Sequence, residues 1–129
     1  MSERFFVDLG KEDHVFAAAH FITFNKNVCE RIHGHNYRVL ATFRGEKLNV
    51  VNFVVDFSTL KQLCEQALAP LDHQCLNHLS VFSGSNPTAE ALALYVYREL
   101  QRLAADQPVR VAAVTVYESD NAAVTYRED

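Results

Sequence analysis

The sequence lacks several features that define other classes of protein. No apolar stretch approaches the roughly 20 residues that a helix needs to cross a bilayer, so we expect no membrane span. Lysine and arginine do not gather into a run, and the formal net charge is -4, so no surface for a nucleic acid backbone is expected. Met1 to Arg4 lead directly into an apolar segment without the plan of a signal peptide. The cytoplasm is therefore the predicted compartment.

Cysteine is also scarce. The chain has three cysteines, an odd number in a chain too large to need a disulfide framework, so we expect reduced thiols. Internal repeats, low-complexity segments and linkers are missing as well. A length of 129 residues, of which 49% are hydrophobic and 22% charged, is typical of an ordinary globular domain with one core. We therefore expect a single domain over residues 1–129.

Alternating and β-branched segments predict three antiparallel hairpins. The paired segments are 4–8 with 15–21, 36–43 with 50–57, and 109–117 with 122–126. Two further segments carry apolar residues at three- and four-residue spacing, which predicts helices. Ser58 is suited to cap the first helix, which Pro70 ends. Asn86 and Pro87 are suited to the cap and first position of the second helix, which is expected to end near Asp106.

The order of these elements predicts the fold class. Because the helices fall between antiparallel hairpins, we expect an α+β fold with the helices layered on one face of an antiparallel sheet. So small a sheet leaves exposed edges, and strands of neighbouring subunits could cover them. Oligomerisation is therefore expected.

Three histidines form the strongest candidate for a functional site. His33 and His35 flank a glycine, and residues two positions apart on a strand project from the same face. His20 lies near the end of a predicted strand that could run alongside. Three neutral imidazoles with an open fourth position are typical of catalytic zinc. His14 and His78 lack such companions, so we expect them to be solvated or capping residues.

Three further positions carry groups suited to chemistry. Cys29 lies in a polar loop four positions before His33, and a thiol near a divalent cation ionises easily; it is either a reactive thiolate or a fourth metal ligand. Asp72 precedes His73, and such a pair either orients the ring and holds a proton in transit or is merely exposed. Glu118 ends an apolar strand, where it either binds paired N–H donors of a ligand or faces solvent.

Taken in order along the chain, these residues resemble a known family. The matching segments are Phe16-Ala17-Ala18-Ala19-His20, Cys29 with three residues before His33-Gly34-His35-Asn36-Tyr37, Asp56-Phe57, Leu71-Asp72-His73 with Leu76-Asn77, Asn86-Pro87-Thr88-Ala89-Glu90, and Glu118. Together they resemble the 6-pyruvoyl-tetrahydropterin synthase and 6-carboxy-tetrahydropterin synthase family over nearly the whole chain. The resemblance implies the tunnelling fold, in which two helices lie on a four-stranded antiparallel sheet. It also implies that subunits join into barrels, commonly a homohexamer of two trimers.

The resemblance further implies a substrate and a role for each site residue. The substrate is a small molecule, 7,8-dihydroneopterin triphosphate, and the cofactor is Zn2+. Carried over position by position, the roles are zinc binding for His20, His33 and His35, general base for Cys29, proton relay for Asp72 and His73, and pterin anchoring for Glu118. In the family the site is assembled between subunits.

The spacing before the His-Gly-His motif bears on the product. Three residues separate Cys29 from His33, which is similar to the 6-carboxy-tetrahydropterin synthases of queuosine (7-deazaguanine) biosynthesis, whereas the pyruvoyl-forming type more often has five. The resemblance therefore favours formation of 6-carboxy-5,6,7,8-tetrahydropterin with loss of acetaldehyde and triphosphate. One alternative is 6-pyruvoyl-tetrahydropterin synthase, which only eliminates triphosphate and tautomerises the product. An alternative from another class is a noncatalytic zinc- or pterin-binding protein in which Cys29 closes the metal site.

Overall fold

The computed structural model describes residues 4–25 and 28–128, and it describes the backbone but not the side chains of Val28 and Cys29. The strands are β1 (Phe5–Leu9), β2 (Val15–His20), β3 (Thr23–Asn25), β4 (Val28–Cys29), β5 (His33–Gly45), β6 (Gln74–Cys75), β7 (Arg110–Ser119) and β8 (Ala122–Arg127). The helices are α1 (Phe57–Leu68) and α2 (Ala89–Leu103). Short 3-10 turns at Ala69–Leu71, Leu76–His78 and Ser80–Phe82 lie between the helices. None of the helices in the described ranges is long and apolar enough to span a membrane.

The main sheet is built around β5. This strand pairs antiparallel with β7 on one side, and β7 pairs antiparallel with β8. On its other side β5 pairs with β1 and β2 in succession, with Phe5 opposite Gly45 and His20 opposite His33. The two-residue β6 adds to β2 in parallel, and the strand order is therefore β6-β2-β5-β7-β8 with β1 also beside β5. Strands β3 and β4 form a separate two-stranded hairpin.

The predicted pairing of the first two segments is wrong. Strands β1 and β2 do not pair with each other. Both pair antiparallel with β5, β2 with its first half and β1 with its second half, so that together they form one interrupted row. The turn between them is closed by the backbone N–H of Asp13, which donates to the carbonyl of Gly10. The expected α+β class, with two helices and a largely antiparallel sheet, is confirmed, but the expected count of four strands is not. The sheet contains six strands because the first row is split in two and β6 is added.

The second predicted hairpin is also wrong, whereas the third is confirmed by β7 and β8. Residues 50–56 form no strand. The side chain of Asn49 accepts hydrogen bonds from the backbone N–H groups of Val51 and Phe53, and Asn52 adopts a left-handed φ of 65°. This local side-chain bonding organises a turn in place of a strand, as asparagine often does.

Both helices begin beside the residues that were predicted to cap them. The carboxylate of Asp56 caps α1 by accepting hydrogen bonds from the N–H and the hydroxyl of Ser58, each at 2.9 Å. The hydroxyl of Thr88 caps α2 by accepting the N–H of Ala91 at 3.1 Å. The predictions of Ser58 and Asn86 as the caps are therefore wrong, and α2 ends at Leu103, before Asp106.

The core lies between the sheet and the helices. Every second residue of the middle of β5 is buried, which is the period expected for a strand with one covered face. Helix α2 packs on β7 and β8, and α1 packs on α2 and β1. The largest fully buried side chains are Tyr37, Phe16, Phe43, Leu60, Leu71, Leu76, Leu92, Leu100, Val39, Val96, Val114 and Val116.

The structure corrects the expectation for one of the two isolated histidines. His78 is exposed, as predicted, but His14 is only 3% exposed. Neither ring nitrogen of His14 has a hydrogen-bond partner among the described residues, and burial lowers its pKa. The break between β1 and β2 turns the ring of His14 inward. The polar sequence around His14 does not indicate this burial.

Candidate metal centre and active site

The three predicted histidines converge at one end of the main sheet. His20 ends β2 and lies directly opposite His33, the first residue of β5. His35 is two residues further along the strand and so shares the same face. One ring nitrogen from each histidine lies within 4.8 Å of the others. Three imidazoles at this separation are placed to share one metal ion.

Hydrogen bonds determine which ring nitrogen of His20 and of His33 faces the other histidines. The Nδ1 of His20 lies 2.8 Å from the carbonyl oxygen of Pro87, and the Nδ1 of His33 lies 2.9 Å from that of Arg31. A carbonyl can only accept, so both Nδ1 atoms carry a proton, and in the neutral form of each ring Nε2 then keeps the lone pair. The two Nε2 atoms are 3.1 Å apart. Two lone pairs this close repel each other unless a cation or a proton lies between them.

The buried hydroxyl of Tyr37 also contacts this group. It lies 3.2 Å from the Nδ1 of His20, and Tyr37 is fully buried. Burial raises the pKa of Tyr37, so its hydroxyl stays protonated. Carbonyl and hydroxyl partners of this kind orient metal-binding imidazoles in proteins.

His35 provides the observation that points most directly to a metal. Its Nε2 is buried and has no hydrogen-bond partner among the described residues. Burial lowers the pKa of His35, which favours the neutral ring with a free lone pair. The nearest carboxylate oxygen, Oε1 of Glu118, is 3.7 Å from this nitrogen, too far for a hydrogen bond. A buried, unpartnered imidazole nitrogen beside two others fits a divalent cation that accepts nitrogen ligands.

Two asparagines hold the chain that follows His20. Asn77 accepts the N–H of Phe21 at 2.9 Å and donates to its carbonyl at 2.8 Å. Asn86 makes the same two bonds with Thr23, both at 2.9 Å. Each carboxamide thus makes the two backbone hydrogen bonds that a neighbouring strand would make. The sequence does not indicate this role, because a carboxamide that pairs with a distant backbone leaves no local sequence signal.

The predicted Asp72–His73 pair is formed and is attached to β2. One carboxylate oxygen of Asp72 lies 2.9 Å from the Nδ1 of His73, and the other accepts the backbone N–H of Ala17 at 2.9 Å. The hydrogen bond from Ala17, with a smaller contribution from His73, holds the pKa of Asp72 below its usual value. The backbone N–H of His73 donates to the carbonyl of Ala17, and His73 has a left-handed φ of 59°. Such strained backbone is common at functional sites.

One pocket connects this pair to the histidine cluster. It has a volume of about 470 Å³ and is lined by residues 17–19, 34–36 and 73–75, which include His35 and His73. Glu118 is about one-third exposed and lies at the same end of the sheet. Cys29 lies on β4, where its backbone is opposite Thr23, but its side chain lies outside the described residues. Its role as a base or a ligand therefore stays a prediction.

Comparison with solved structures defines the class of fold. A 6-pyruvoyl tetrahydropterin synthase from Caenorhabditis elegans superimposes with a TM-score of 0.84 at 22% identity, covering 99% of this chain and 98% of that one. The enzyme of that name from Plasmodium vivax superimposes with a TM-score of 0.79 at 23% identity, covering 99% of each chain. This chain therefore has the tunnelling fold.

Sequence comparison defines the family. Residues 9–129 match the family profile described as 6-pyruvoyl tetrahydropterin synthase, and the chain belongs to that family. Human 6-pyruvoyl tetrahydrobiopterin synthase is 38% identical over 98 residues, covering 74% of this chain and 66% of that protein. The 6-carboxy-5,6,7,8-tetrahydropterin synthase of Bacillus subtilis is 37% identical over 99 residues, covering 73% and 65%. The Rickettsia typhi protein of the same name is 30% identical over 124 residues, covering 82% and 90%. The match thus spans slightly less than two thirds of the human and Bacillus proteins.

The ionisation of Asp72 should be visible in the pH dependence of stability. A carboxyl whose pKa is lower in the folded than in the unfolded chain stabilises the fold at neutral pH. That stabilisation is lost as the pH falls through the folded pKa. We expect Asp72→Asn to lose less of its free energy of unfolding than the unmodified chain between about pH 5 and pH 2, measured as urea midpoints. Asp120→Asn, in the exposed β7–β8 turn, should follow the unmodified chain, and identical profiles for all three proteins would contradict the assignment.

Proposed function

We propose that this chain is a zinc-dependent lyase that converts 7,8-dihydroneopterin triphosphate and one molecule of water into 6-carboxy-5,6,7,8-tetrahydropterin, acetaldehyde and triphosphate. The observation that carries the proposal is the cluster of His20, His33 and His35, each of which offers one ring nitrogen within 4.8 Å of the others, in a chain of this family. The family's relatives are named for both the carboxy and the pyruvoyl product. The three-residue spacing between Cys29 and His33 favours the carboxy product and a place in queuosine biosynthesis.

The three histidines would hold Zn2+ through one ring nitrogen each, and these nitrogens lie within 4.8 Å of one another. When bound, the ion would polarise the hydroxyl groups of the substrate's side chain as a Lewis acid and hold them in one orientation. The protein contributes the orientation of its ligands, because the carbonyls of Pro87 and Arg31 keep two Nδ1 protons away from the metal side. Donor sets of this kind also accept other divalent ions. The identity of the ion as zinc is therefore part of the proposal.

The remaining residues would move protons and fix the ring. Cys29, as a thiolate, would take a proton from carbon. His73 would give or accept a proton on another side of the substrate, since Asp72 occupies its Nδ1 and leaves Nε2 for this exchange. The carboxylate of Glu118 would accept two N–H groups of the pterin ring and so place the side chain toward the histidines.

The functional unit in this proposal is a homo-oligomer, a hexamer of two trimers. Two arguments support this assembly. The sheet has exposed strand edges that neighbouring subunits could cover, and members of the family assemble the active site between subunits. In such an assembly, Cys29 and Glu118 of one active site need not come from the same chain as the histidines. The proposed partners are the pterin triphosphate and other copies of the chain, with neither nucleic acid nor membrane involved.

The nature of the products tests the proposed reaction. Zinc-loaded protein incubated under reducing conditions with 7,8-dihydroneopterin triphosphate should release acetaldehyde and triphosphate in equal amounts and form a 6-carboxy pterin. Acetaldehyde is measured by a coupled dehydrogenase assay, and the pterin by chromatography and mass spectrometry. A pyruvoyl product without acetaldehyde would support the alternative reaction of 6-pyruvoyl-tetrahydropterin synthase. The absence of any turnover would contradict both.

The variant Cys29→Ala distinguishes an enzyme from a structural zinc protein. If Cys29 is the base, the variant should keep its zinc and its thermal stability and lose at least about 100-fold in turnover, a usual contribution of general base catalysis. Zinc content is measured by atomic absorption after dialysis. If Cys29 instead closes a structural site, metal affinity and stability should fall together. That second outcome would favour the noncatalytic alternative.

A further inference from the structure

The ring of His20 is held by a residue from a distant part of the chain. His20 is only 2% exposed, and its Nδ1 lies 2.8 Å from the carbonyl oxygen of Pro87. The hydroxyl of Tyr37 lies farther from this nitrogen, at 3.2 Å. Because a histidine ring can rotate about its side-chain bonds, the partner of Nδ1 decides where Nε2 points. The position of the Pro87 carbonyl therefore sets the direction of Nε2 of His20.

Pro87 is buried and lies between two anchored residues. On one side, the carboxamide of Asn86 accepts the backbone N–H of Thr23 and donates to its carbonyl, both at 2.9 Å. On the other side, the backbone N–H of Thr88 donates to the carbonyl of Asn86 at 3.0 Å, and its hydroxyl accepts the N–H of Ala91 in the first turn of α2. The proline ring itself restricts φ to about −65°. The carbonyl of Pro87 is thus held from both sides.

These hydrogen bonds attach both ends of one short segment to the start of α2. His20 begins the segment and binds Pro87, and Thr23 ends it and binds Asn86, the residue next to Pro87. The ring of His20 and the carbonyl that it binds therefore belong to one closed circuit of contacts. Removal of the Asn86 carboxamide would open this circuit, and the carbonyl of Pro87 would be free to shift relative to the ring.

We propose that Asn86 is a positioning residue for the metal centre. By joining its segment to Thr23, it holds the carbonyl of Pro87 where that carbonyl directs Nε2 of His20 toward the other two histidines. The inference rests on the metal-binding role proposed above for these histidines. Hydrogen-bond partners outside the ligands typically contribute about 10- to 100-fold to metal affinity, because they orient the ligand rings before the metal binds.

The Nδ1 proton of His20 allows a test that needs no metal. In the metal-free chain labelled with 15N-histidine, this proton should give a slowly exchanging NMR signal, which is assigned by its loss in His20→Gln. In Asn86→Ala the proton should exchange with water at least about tenfold faster. The matched control Asn49→Ala also loses a carboxamide with two hydrogen bonds to the backbone, in the turn after β5, and its signal should not change. Equal exchange in Asn86→Ala and the unmodified chain would overturn the proposal.

Zinc affinity, measured by competition with a chromophoric chelator, tests the consequence for the metal. Asn86→Ala should bind zinc about tenfold more weakly or worse, whereas Asn49→Ala should bind it as the unmodified chain does. Cooperative thermal melting of the metal-free variants excludes unfolding as the cause. If Asn86→Ala does not fold, Asn86→Asp replaces it, since this variant keeps the acceptor for the N–H of Thr23 and loses only the donor to its carbonyl. Unchanged zinc affinity in the folded variant would contradict the assigned role.

Asn77→Ala separates this role from a general loosening of the chain after His20. Asn77 makes the same two hydrogen bonds with Phe21, but it is not adjacent to Pro87. We expect Asn77→Ala to lose less zinc affinity than Asn86→Ala, and an equal or larger loss would overturn the proposal. Failure of the proposed metal site gives a different result, because the unmodified chain would then bind no zinc. In that case the exchange of the His20 proton alone decides whether Asn86 orients the ring.

Discussion

The pairing of β2 with β5 is the constraint on which the site depends. Its register places His20 opposite His33, and because residues two apart on a strand share a face, His35 joins them. A slip of one residue would turn His20 to the other face of the sheet. The register is held by burial on the core face, where Phe16 stacks on Tyr37 at 5.0 Å between ring centroids. Packing in the core thus fixes the separation of the histidine ring nitrogens at the end of the sheet.

The same strand also positions the second part of the site. The N–H and the carbonyl of Ala17, in the middle of β2, bind Asp72 and His73 respectively. The chain beyond β2 is held by Asn77 and Asn86, and the carbonyl of Pro87 orients the ring of His20. Segments distant in sequence are therefore attached to one strand. A change to any of these contacts should affect the geometry of the histidine cluster before it affects the fold.

The sequence was sufficient to predict the elements whose pattern is local. The two-residue spacing of His33 and His35 and the apolar stripes of both helices report directly which side chains share a face. Strand pairing was not predictable in the same way, because alternation indicates a buried face and does not identify the neighbouring strand. The interrupted row of β1 and β2, and with it the burial of His14, was missed for that reason.

Long-range contacts account for the remaining differences. Asn86 has the composition of a helix cap, yet its carboxamide pairs with Thr23 and Thr88 caps α2 instead.

X-ray absorption spectroscopy of the zinc-loaded protein tests the central claim most directly. A site that His20, His33 and His35 hold open should show about three nitrogen neighbours and one oxygen neighbour, all at about 2.0–2.1 Å. Addition of a substrate analogue that carries the side-chain hydroxyls should change the oxygen contribution only. A sulfur neighbour at about 2.3 Å would show that a cysteine closes the site, and it would contradict an open catalytic metal centre.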